Sequence, residues 1–429
     1  MKSSIKDKLQ KIDDIHLSIL MDIGEVASLL NLKAYLVGGM VRDLLLGFKN
    51  LDIDIVVENN SLLLVDALVK RFSYCELSAK HDRFHTAKLV FNLNGKKIPV
   101  DLASTREEIY EYPAALPKVK ITNLKKDLYR RDFTINALAV SILPEDFGDV
   151  VDLFDGLLDL QNKKVRVLHD FSFIDDPTRI IRAIRFSAKL GFEIEEHAQK
   201  LLKEAVDSKQ FDNLIEKIRG DRVKIEIRYL FNLPKIQEAV NIFFNSGVYR
   251  LISTDLKSTN IRTFFTNVQN DIQRQWLIYL ALIIKDLKPQ QQEKIMSNLQ
   301  LTAEEIKIIK NGFTVCNRFQ TLISNNQKLD SVIVYRELKD LTTESISIVK
   351  MLYVIAKGET TDVNELIDEY IEKTSKIKLE ITGADLINMG VKEGKKIGEI
   401  LQKVLEIKIK NPEMKKEDEI KEAKRALQV

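Results

Sequence analysis

Hydrophobic residues change their spacing along this chain. At the start Ile12, Ile15, Ile19, Leu20 and Ile23 recur at helical intervals, which predicts a helix over residues 1–30. Between Ala34 and Phe154 short apolar runs alternate with turn residues. "AYLV" reads as a strand ending at Gly38-Gly39, and "MVRDLLL" as the helix after it. "LDIDIVVE" reads as a second strand and "SLLLVDALVKRF" as a second helix. "TAKLVFNL" and "KKIPVDLA" flank Asn94-Gly95, a type I′ hairpin signal, and Pro99 predicts an edge or a bulge in the second arm. Beyond Leu160 the strand signal fades into amphipathic helices such as "DPTRIIRAIRFSAKL", "HAQKLLKEAVDS" and "DRVKIEIRYLF". The pattern predicts an α+β chain, with a mixed α/β head and an all-helical remainder. The charged end, "KNPEMKKEDEIKEAKRAL", predicts a solvated helix.

Composition narrows the class. At 429 residues the chain exceeds one ordinary core, and 45% apolar with 30% charged residues is a globular balance. No run of eighteen apolar residues occurs, so no membrane helix is expected, and the start lacks the apolar core of a signal peptide. Two distant cysteines, Cys75 and Cys316, exclude a disulfide framework and fit a cytoplasmic location. The net charge is only +3, from 66 basic and 63 acidic residues, so any nucleic acid must be held by local patches.

The sharpest chemistry lies in "YLVGGMVRDLLLGFKNLDIDIVVE". A strand running into Gly38-Gly39 and then a helix lets the backbone approach a phosphate closely. Asp52 and Asp54 alternate along the next strand, so both carboxylates share a face while Ile53 and Ile55 turn to the core. Two parallel carboxylates repel unless a cation sits between them, and a hard divalent ion such as Mg²⁺ suits that place. Asp101, apolar on both sides in "PVDLA", offers a third carboxylate.

These motifs resemble the polymerase-β-type nucleotidyltransferase superfamily. A longer series, "LVGGMVRDLLLG", "YRRDFTINALAV", "VVDLFDGLLDLQNKKVRVL" and "DDPTRIIRAIRFSAKLGFEIE", is similar to the successive motifs of class II tRNA nucleotidyltransferases. Those are the CCA-adding enzymes, with bacterial poly(A) polymerases as close kin. The likeness is strong over residues 30–230 and returns weakly at "ITGADLINMGVKEGKKIGEILQKVLE". It implies a small polymerase-β-like nucleotidyltransferase head with a mixed sheet over 1–155, then a helical neck over 156–230 that selects the nucleotide. A helical body over 231–375 and a tRNA-binding tail over 376–429 would follow.

The resemblance also implies roles. Asp52 and Asp54 are expected to bind two Mg²⁺ ions, and Asp101 to complete the catalytic set. Gly38, Gly39 and Arg42 are placed for the triphosphate, with Asp43 orienting Arg42. Arg130, Arg131, Asp132 and Asn136 of "RRDFTINA" are expected at the ribose and phosphates, and Arg83 at the border of the site. Asp176 and Arg179, three apart on a helix whose first turn holds Pro177, are the family's template pair. An Asp acceptor beside an Arg donor matches the edges of cytosine and adenine and opposes those of uracil and guanine. Asp175 replaces the family's commoner Glu. His81 and His85 lack a third ligand nearby. Residues 104–121, with Pro113 and Pro117, look like the family's flexible loop, and their length favours full CCA addition.

For RNA, six basic residues face one acid between Lys118 and Arg131. A second cluster holds Lys217, Arg219, Arg222, Lys224 and Arg228, where Arg222 braces the neck as readily as it contacts RNA. A third holds Lys392, Lys395 and Lys396 among glycines. The expected partners are the acceptor and T arms of tRNA, with CTP and ATP as substrates. No membrane or protein partner is implied. CC-only addition, A-only addition and poly(A) synthesis are the alternatives.

Overall fold

Seven strands of the N-terminal part form one sheet. They are β1 (Ala34–Val37), β2 (Ile53–Val57), β3 (Cys75–His81), β4 (Thr86–Leu93), β5 (Lys96–Ser104), β8 (Leu138–Ser141) and β9 (Val150–Asp152), ordered β3-β4-β5-β2-β1-β8-β9. Between β5 and β8 the strands β6 (Arg106–Ile109) and β7 (Lys118–Ile121) pair as a separate antiparallel hairpin. The computed structural model describes residues 4–112, 115, 118–218, 220–234, 236–256, 272–357, 362–392 and 394–427. Within them the chain divides into two compact units, Met1–Thr254 and Asp255–Val429.

In the sheet all neighbours are antiparallel except β2 and β5. β4 shows the expected alternation, with Ala87, Leu89 and Phe91 buried. Asn94 and Gly95 have φ of 52° and 75°, the two positive values that a type I′ turn demands. Pro99 lies in an interior strand, not at an edge. It pairs with Val90 of β4, while β2 joins β5 only from Val100 onward. The proline therefore stands where the β2 side of β5 is open, and no sheet bond is lost. Helix Ser61–Arg71 packs on β3, β4 and β5, and helix Asp14–Leu29 packs on it in turn. On the other face Val37 and Val56 join Leu124, Leu128, Ala137 and Ala139 in one apolar cluster.

Further expectations are corrected. The N-terminal helix is two helices, Lys6–Leu9 and Asp14–Leu29, because Asp13 caps the second by accepting from the His16 amide. The "flexible loop" of residues 104–121 is largely the β6–β7 hairpin, and Pro113 and Pro117 lie outside the described residues. The strand signal does not end at Leu160, since Lys164–Val165 and Glu193–Ile194 form a short parallel pair.

Helices complete the first unit, chiefly Thr178–Leu190, Glu196–Asp207, Gly220–Phe231 and Ile236–Asn245. Ile180, Ile181, Ile184 and Phe186 of the first are buried, as its apolar spacing predicts.

The regular elements of the second unit's described residues are all helices. Helix Gln275–Ile284 is buried from Trp276 to Ile284, as an all-apolar helix must be. Helices Ala303–Ser324 and Thr343–Lys357 cross closely, since a Cβ on Gly312 would lie 2.6 Å from Ile348. The charged C-terminal segment is not merely solvated. Helix Lys416–Leu427 buries Ala423 and Glu419, whose carboxylate accepts from the amides of Glu380 and Ile381 at 2.8 and 2.9 Å and from Lys408.

Candidate active site

The parallel register of β2 and β5 sets Asp54 directly beside Asp101. Opposed residues in such a pair project to one face, so the two carboxylates stand together. Asp52 lies just before β2, exposed, and its amide donates to Asn50 Oδ1 at 3.1 Å. Burial, with Asp101 as the next cause, pushes the Asp54 carboxyl up to about 6, against the attraction of Arg131. The Asp101 side chain is 58% exposed, and its only ion pair among the described residues is a 3.7 Å approach from Lys88. This end of the sheet therefore gathers more negative charge than the protein neutralises. Among the described residues no three His, Cys, Asp or Glu close round one point. Mg²⁺ does not need them, because it is commonly held by one or two carboxylates with substrate phosphates and water completing its shell. The donor set fits that ion.

Gly38 ends β1 next to Asp54. Its φ is 77°, and a Cβ there would lie 3.2 Å from Asp54 Oδ2 and 3.8 Å from Arg131 Nη1. Only glycine gives the backbone both the conformation and the closeness. Gly39 opens helix Gly39–Leu46, with Asn50 Nδ2 3.2 Å from where its Cβ would be.

Arg42 is 3% exposed. Its Nε and Nη2 donate to Asp43 at 2.7 and 2.6 Å, its Nη1 donates to Asn136 Oδ1 at 2.7 Å, and its guanidinium lies over the Phe186 ring. Asn136 then donates to Asp132 Oδ1 at 2.9 Å, and Asp132 Oδ2 accepts from Arg182 Nε and Nη2. Burial works to raise the Asp132 pKa, but Arg182 and the Asn136 hydrogen bond outweigh it and hold it at about 2. Arg182 and Arg185 also meet Glu226 of helix Gly220–Phe231, at 2.8 and 3.0 Å. Arg42, Asn136 and Asp132 thus belong to one satisfied buried chain that fastens the sheet to two helices.

A cleft of about 490 Å³ opens above the carboxylates, lined by Asp54, Asp101, Lys88, Arg106, Arg130 and Arg131 among others. Arg130 is spent internally, donating to Asp127, to Glu108 and to the Arg106 carbonyl. Among the described residues the Arg131 side chain gives one bond, Nη2 to Asp127 at 3.1 Å, and its buried Nε has no partner. Asp127 is fully buried beneath both. The expected positive stripe from Lys118 to Arg131 is therefore largely neutralised: Lys118 meets Glu111, and Lys120 and Lys126 meet Glu107. Glu107 lies upstream on the paired strand and Glu111 just beyond it, both outside residues 118–131.

Asp176 and Arg179 are not joined by an ion pair. Asp176 Oδ1 accepts from the Thr178 amide and hydroxyl, and Oδ2 meets Arg222 Nη2 at 2.9 Å. Arg179, 5% exposed, donates Nη1 to Ser172 and Nη2 to the Arg130 carbonyl at 2.6 Å. Each is braced by third parties, and each keeps hydrogen-bonding capacity to spare.

Other expected residues are placed differently. Arg83 is exposed on the turn Asp82–Phe84 against the Phe84 ring, while His81 and Thr86 line the cleft. Arg219 lies outside the described residues, and Arg222 braces Asp176. Lys392, Lys395 and Lys396 are exposed in the second unit around the start of helix Lys395–Lys410. The sequence reading missed Lys88, Arg106, Asp127 and Asn50. Period two in "REEIY" was the available signal for Arg106, because it puts Arg106, Glu108 and Tyr110 on one strand face.

Comparison with known proteins agrees with this geometry. The poly(A) polymerase head domain profile matches residues 34–166, and that of tRNA nucleotidyltransferase domain 2 matches residues 269–421. The A-adding tRNA nucleotidyltransferase of Geobacter sulfurreducens is 34% identical over 424 residues, covering 95% of this chain and 47% of that protein. This chain thus spans about half the length of that relative. The Thermotoga maritima CCA-adding enzyme, solved in complex with tRNA, superposes with a TM-score of 0.79 at 29% identity, covering 99% of both chains. A CCA-adding enzyme solved as apo form II gives 0.80 at 32% identity, again over 99% of both. This chain belongs to the tRNA nucleotidyltransferase family, that of the CCA-adding and A-adding enzymes.

Proposed function

We propose that this protein transfers nucleotides from CTP and ATP to the 3′ end of tRNA, adding CCA or part of it and releasing pyrophosphate. The observation that carries the reading is the Asp54–Asp101 pair beside Gly38, tied through Arg131 and Arg130 to Arg179 within one unit. The relatives' names support it, one A-adding and two CCA-adding.

Asp52 and Asp54 are the residues that would hold Mg²⁺. Held there, Mg²⁺ would supply a lowered pKa for the RNA 3′-hydroxyl and offset negative charge on the pyrophosphate. Asp101 accepts a hydrogen bond from the attacking hydroxyl. Gly38 and Gly39 let the triphosphate approach the backbone, and Arg131 faces its oxygens. Arg42, Asp132 and Asn136 act by holding that wall in place. Asp176 accepts the exocyclic amine of cytosine or adenine, and Arg179 donates to the ring nitrogen. Lys392, Lys395 and Lys396 contact the tRNA acceptor and T arms, whose A-form duplex is read by shape and backbone. Residues 1–155 act as head, 156–230 as neck, 231–375 as body and 376–429 as tail. The setting is the cytoplasm, which suits two free, buried cysteines.

The test offers tRNA transcripts ending before CCA, after C, or after CC, with CTP or ATP and Mg²⁺. Stepwise use of CTP and then ATP is the expected result. Use of ATP alone, only after CC, marks the second reading, A-only addition, which the Geobacter relative's name favours. No addition to any transcript overturns the proposal.

A further inference from the structure

Arg106 stands on β6 at the wall of the cleft, and nothing in the scheme above uses it. Its main chain is structural: its amide donates to Asp127 Oδ1 at 3.0 Å and its carbonyl accepts from Arg130 Nε at 2.9 Å. Its side chain is not bound in the same way. Nε is buried without a hydrogen-bond partner among the described residues, and Nη2 comes no nearer than 3.8 Å to Glu108, beyond hydrogen-bond reach. Glu108 is already engaged by Arg130 Nη1 and the Tyr110 hydroxyl, both at 2.9 Å.

The charge balance points the same way. Three guanidiniums, Arg106, Arg130 and Arg131, face two carboxylates, Asp127 and Glu108. Arg130 and Arg131 each hydrogen-bond Asp127, whereas the Arg106 side chain has no carboxylate within hydrogen-bond reach among the described residues. Burial, and then Arg130, make the Arg106 cation less comfortable than an ordinary arginine. A buried N–H without an acceptor is costly, so a site that keeps one is built for an acceptor that arrives. Arg131 beside it has the same open Nε. The Nε–Nη edge of a guanidinium matches two oxygens of a phosphate, and at 25% exposure the Arg106 side chain can be reached.

We propose that Arg106 binds a phosphate of the substrate, together with the open edge of Arg131, and so brings the β6–β7 hairpin into direct contact with what is transferred or extended. This rests on the function proposed above. The phosphate belongs either to the incoming triphosphate or to the RNA backbone near its 3′ end.

The test compares the full chain with its Arg106→Ala, Arg106→Gln and Arg106→Lys variants. Equilibrium binding of ATP, AMP and a tRNA minihelix ending in CC is measured, with thermal melting alongside. Because the main-chain bonds persist, all three variants should melt close to wild type. If the phosphate is the nucleotide's, Arg106→Ala and Arg106→Gln weaken ATP about tenfold and leave AMP nearly unchanged, with partial recovery in Arg106→Lys. If it is the RNA's, ATP is held normally, the minihelix weakens about tenfold, and the salt dependence of its binding falls by about one charge. Either result supports the assignment. Affinities for ATP and minihelix within twofold of wild type in both neutral variants overturn it. Should wild type itself bind neither ligand, the functional reading falls and this assignment falls with it.

Discussion

Asp54 and Asp132 are both withdrawn from water in the same unit, yet burial leaves them in opposite states. Asp54 is pushed up to about 6, with Asp101 and Asp52 adding to the effect of desolvation. Asp132 is held at about 2, because Arg182 and Asn136 outweigh the same penalty. Desolvation disfavours both charges, so the difference lies in the partners the fold supplies. Where the chain has completed the hydrogen bonds of a charged group, as along Arg42, Asn136, Asp132, Arg182 and Glu226, that group builds the site. Where the chain has left charge unbalanced, as at Asp54 and Asp101, the balance is left to something that binds.

The comparison breaks most visibly at Asp54. Asp54→Asn should cut nucleotide addition by about a thousandfold, some 4 kcal/mol of barrier, and should not lower the melting temperature. Single-turnover extension of a tRNA ending in CC measures the first, and a thermal scan the second. A large drop in stability with modest loss of rate would mean that Asp54 is structural.

Asp132→Ala should behave in the reverse sense. It strands Arg182 beside a vacated site, a defect that typically costs about 3–5 kcal/mol, and urea unfolding should report it. Activity should fall only as far as the folded fraction falls and the wall loosens. Unchanged stability together with abolished activity would move Asp132 to the substrate.

Acid sharpens the same contrast. The Asp132 pKa is lower folded than its ordinary 3.8, so its contribution is complete above about pH 4 and is lost as the pH falls toward 2. Urea midpoints should therefore decline across that window in wild type. In Asp132→Asn, already destabilised, the decline should be shallower. Parallel slopes would show that other carboxylates govern the acid limb.

The smallest expected effect is at Arg222. Arg222→Ala removes the partner of Asp176 Oδ2 while Thr178 keeps Oδ1. Stability should change by about 1 kcal/mol or less. The ratio of kcat/KM for CTP to that for UTP should fall several-fold, as the acceptor gains freedom to turn. An unchanged ratio would mean that Thr178 alone fixes the carboxylate.

Much of this was legible in the residues. Period two over "LDIDIVVE" gave β2 and the facing of Asp54, and Asn94-Gly95 gave the β4–β5 turn. Pro99 misled because an unpaired stretch of an interior strand looks, in sequence, like an edge. The stripe from Lys118 to Arg131 misled because Glu107 and Glu108 of β6, and Glu111 just after it, reach it across the hairpin. Arg42 could be linked to Asp43 from the sequence, but Asn136 and Phe186 meet it only in three dimensions. Long-range partners decide which charges are spent, and that is what a linear reading lacks.

The pairing of Asp54 with Asp101 has a consequence for how the protein comes into being. The two residues are 47 positions apart, and the chain between them must first make helix Ser61–Arg71 and the β3–β4–β5 meander. Parallel contacts of such separation close slowly, since loop entropy is lost before they reward it. Assembly of the Asp54–Asp101 pair should therefore come late in folding. On dilution from urea, helical circular dichroism should return first, and the capacity to extend RNA only after β5 has docked beside β2.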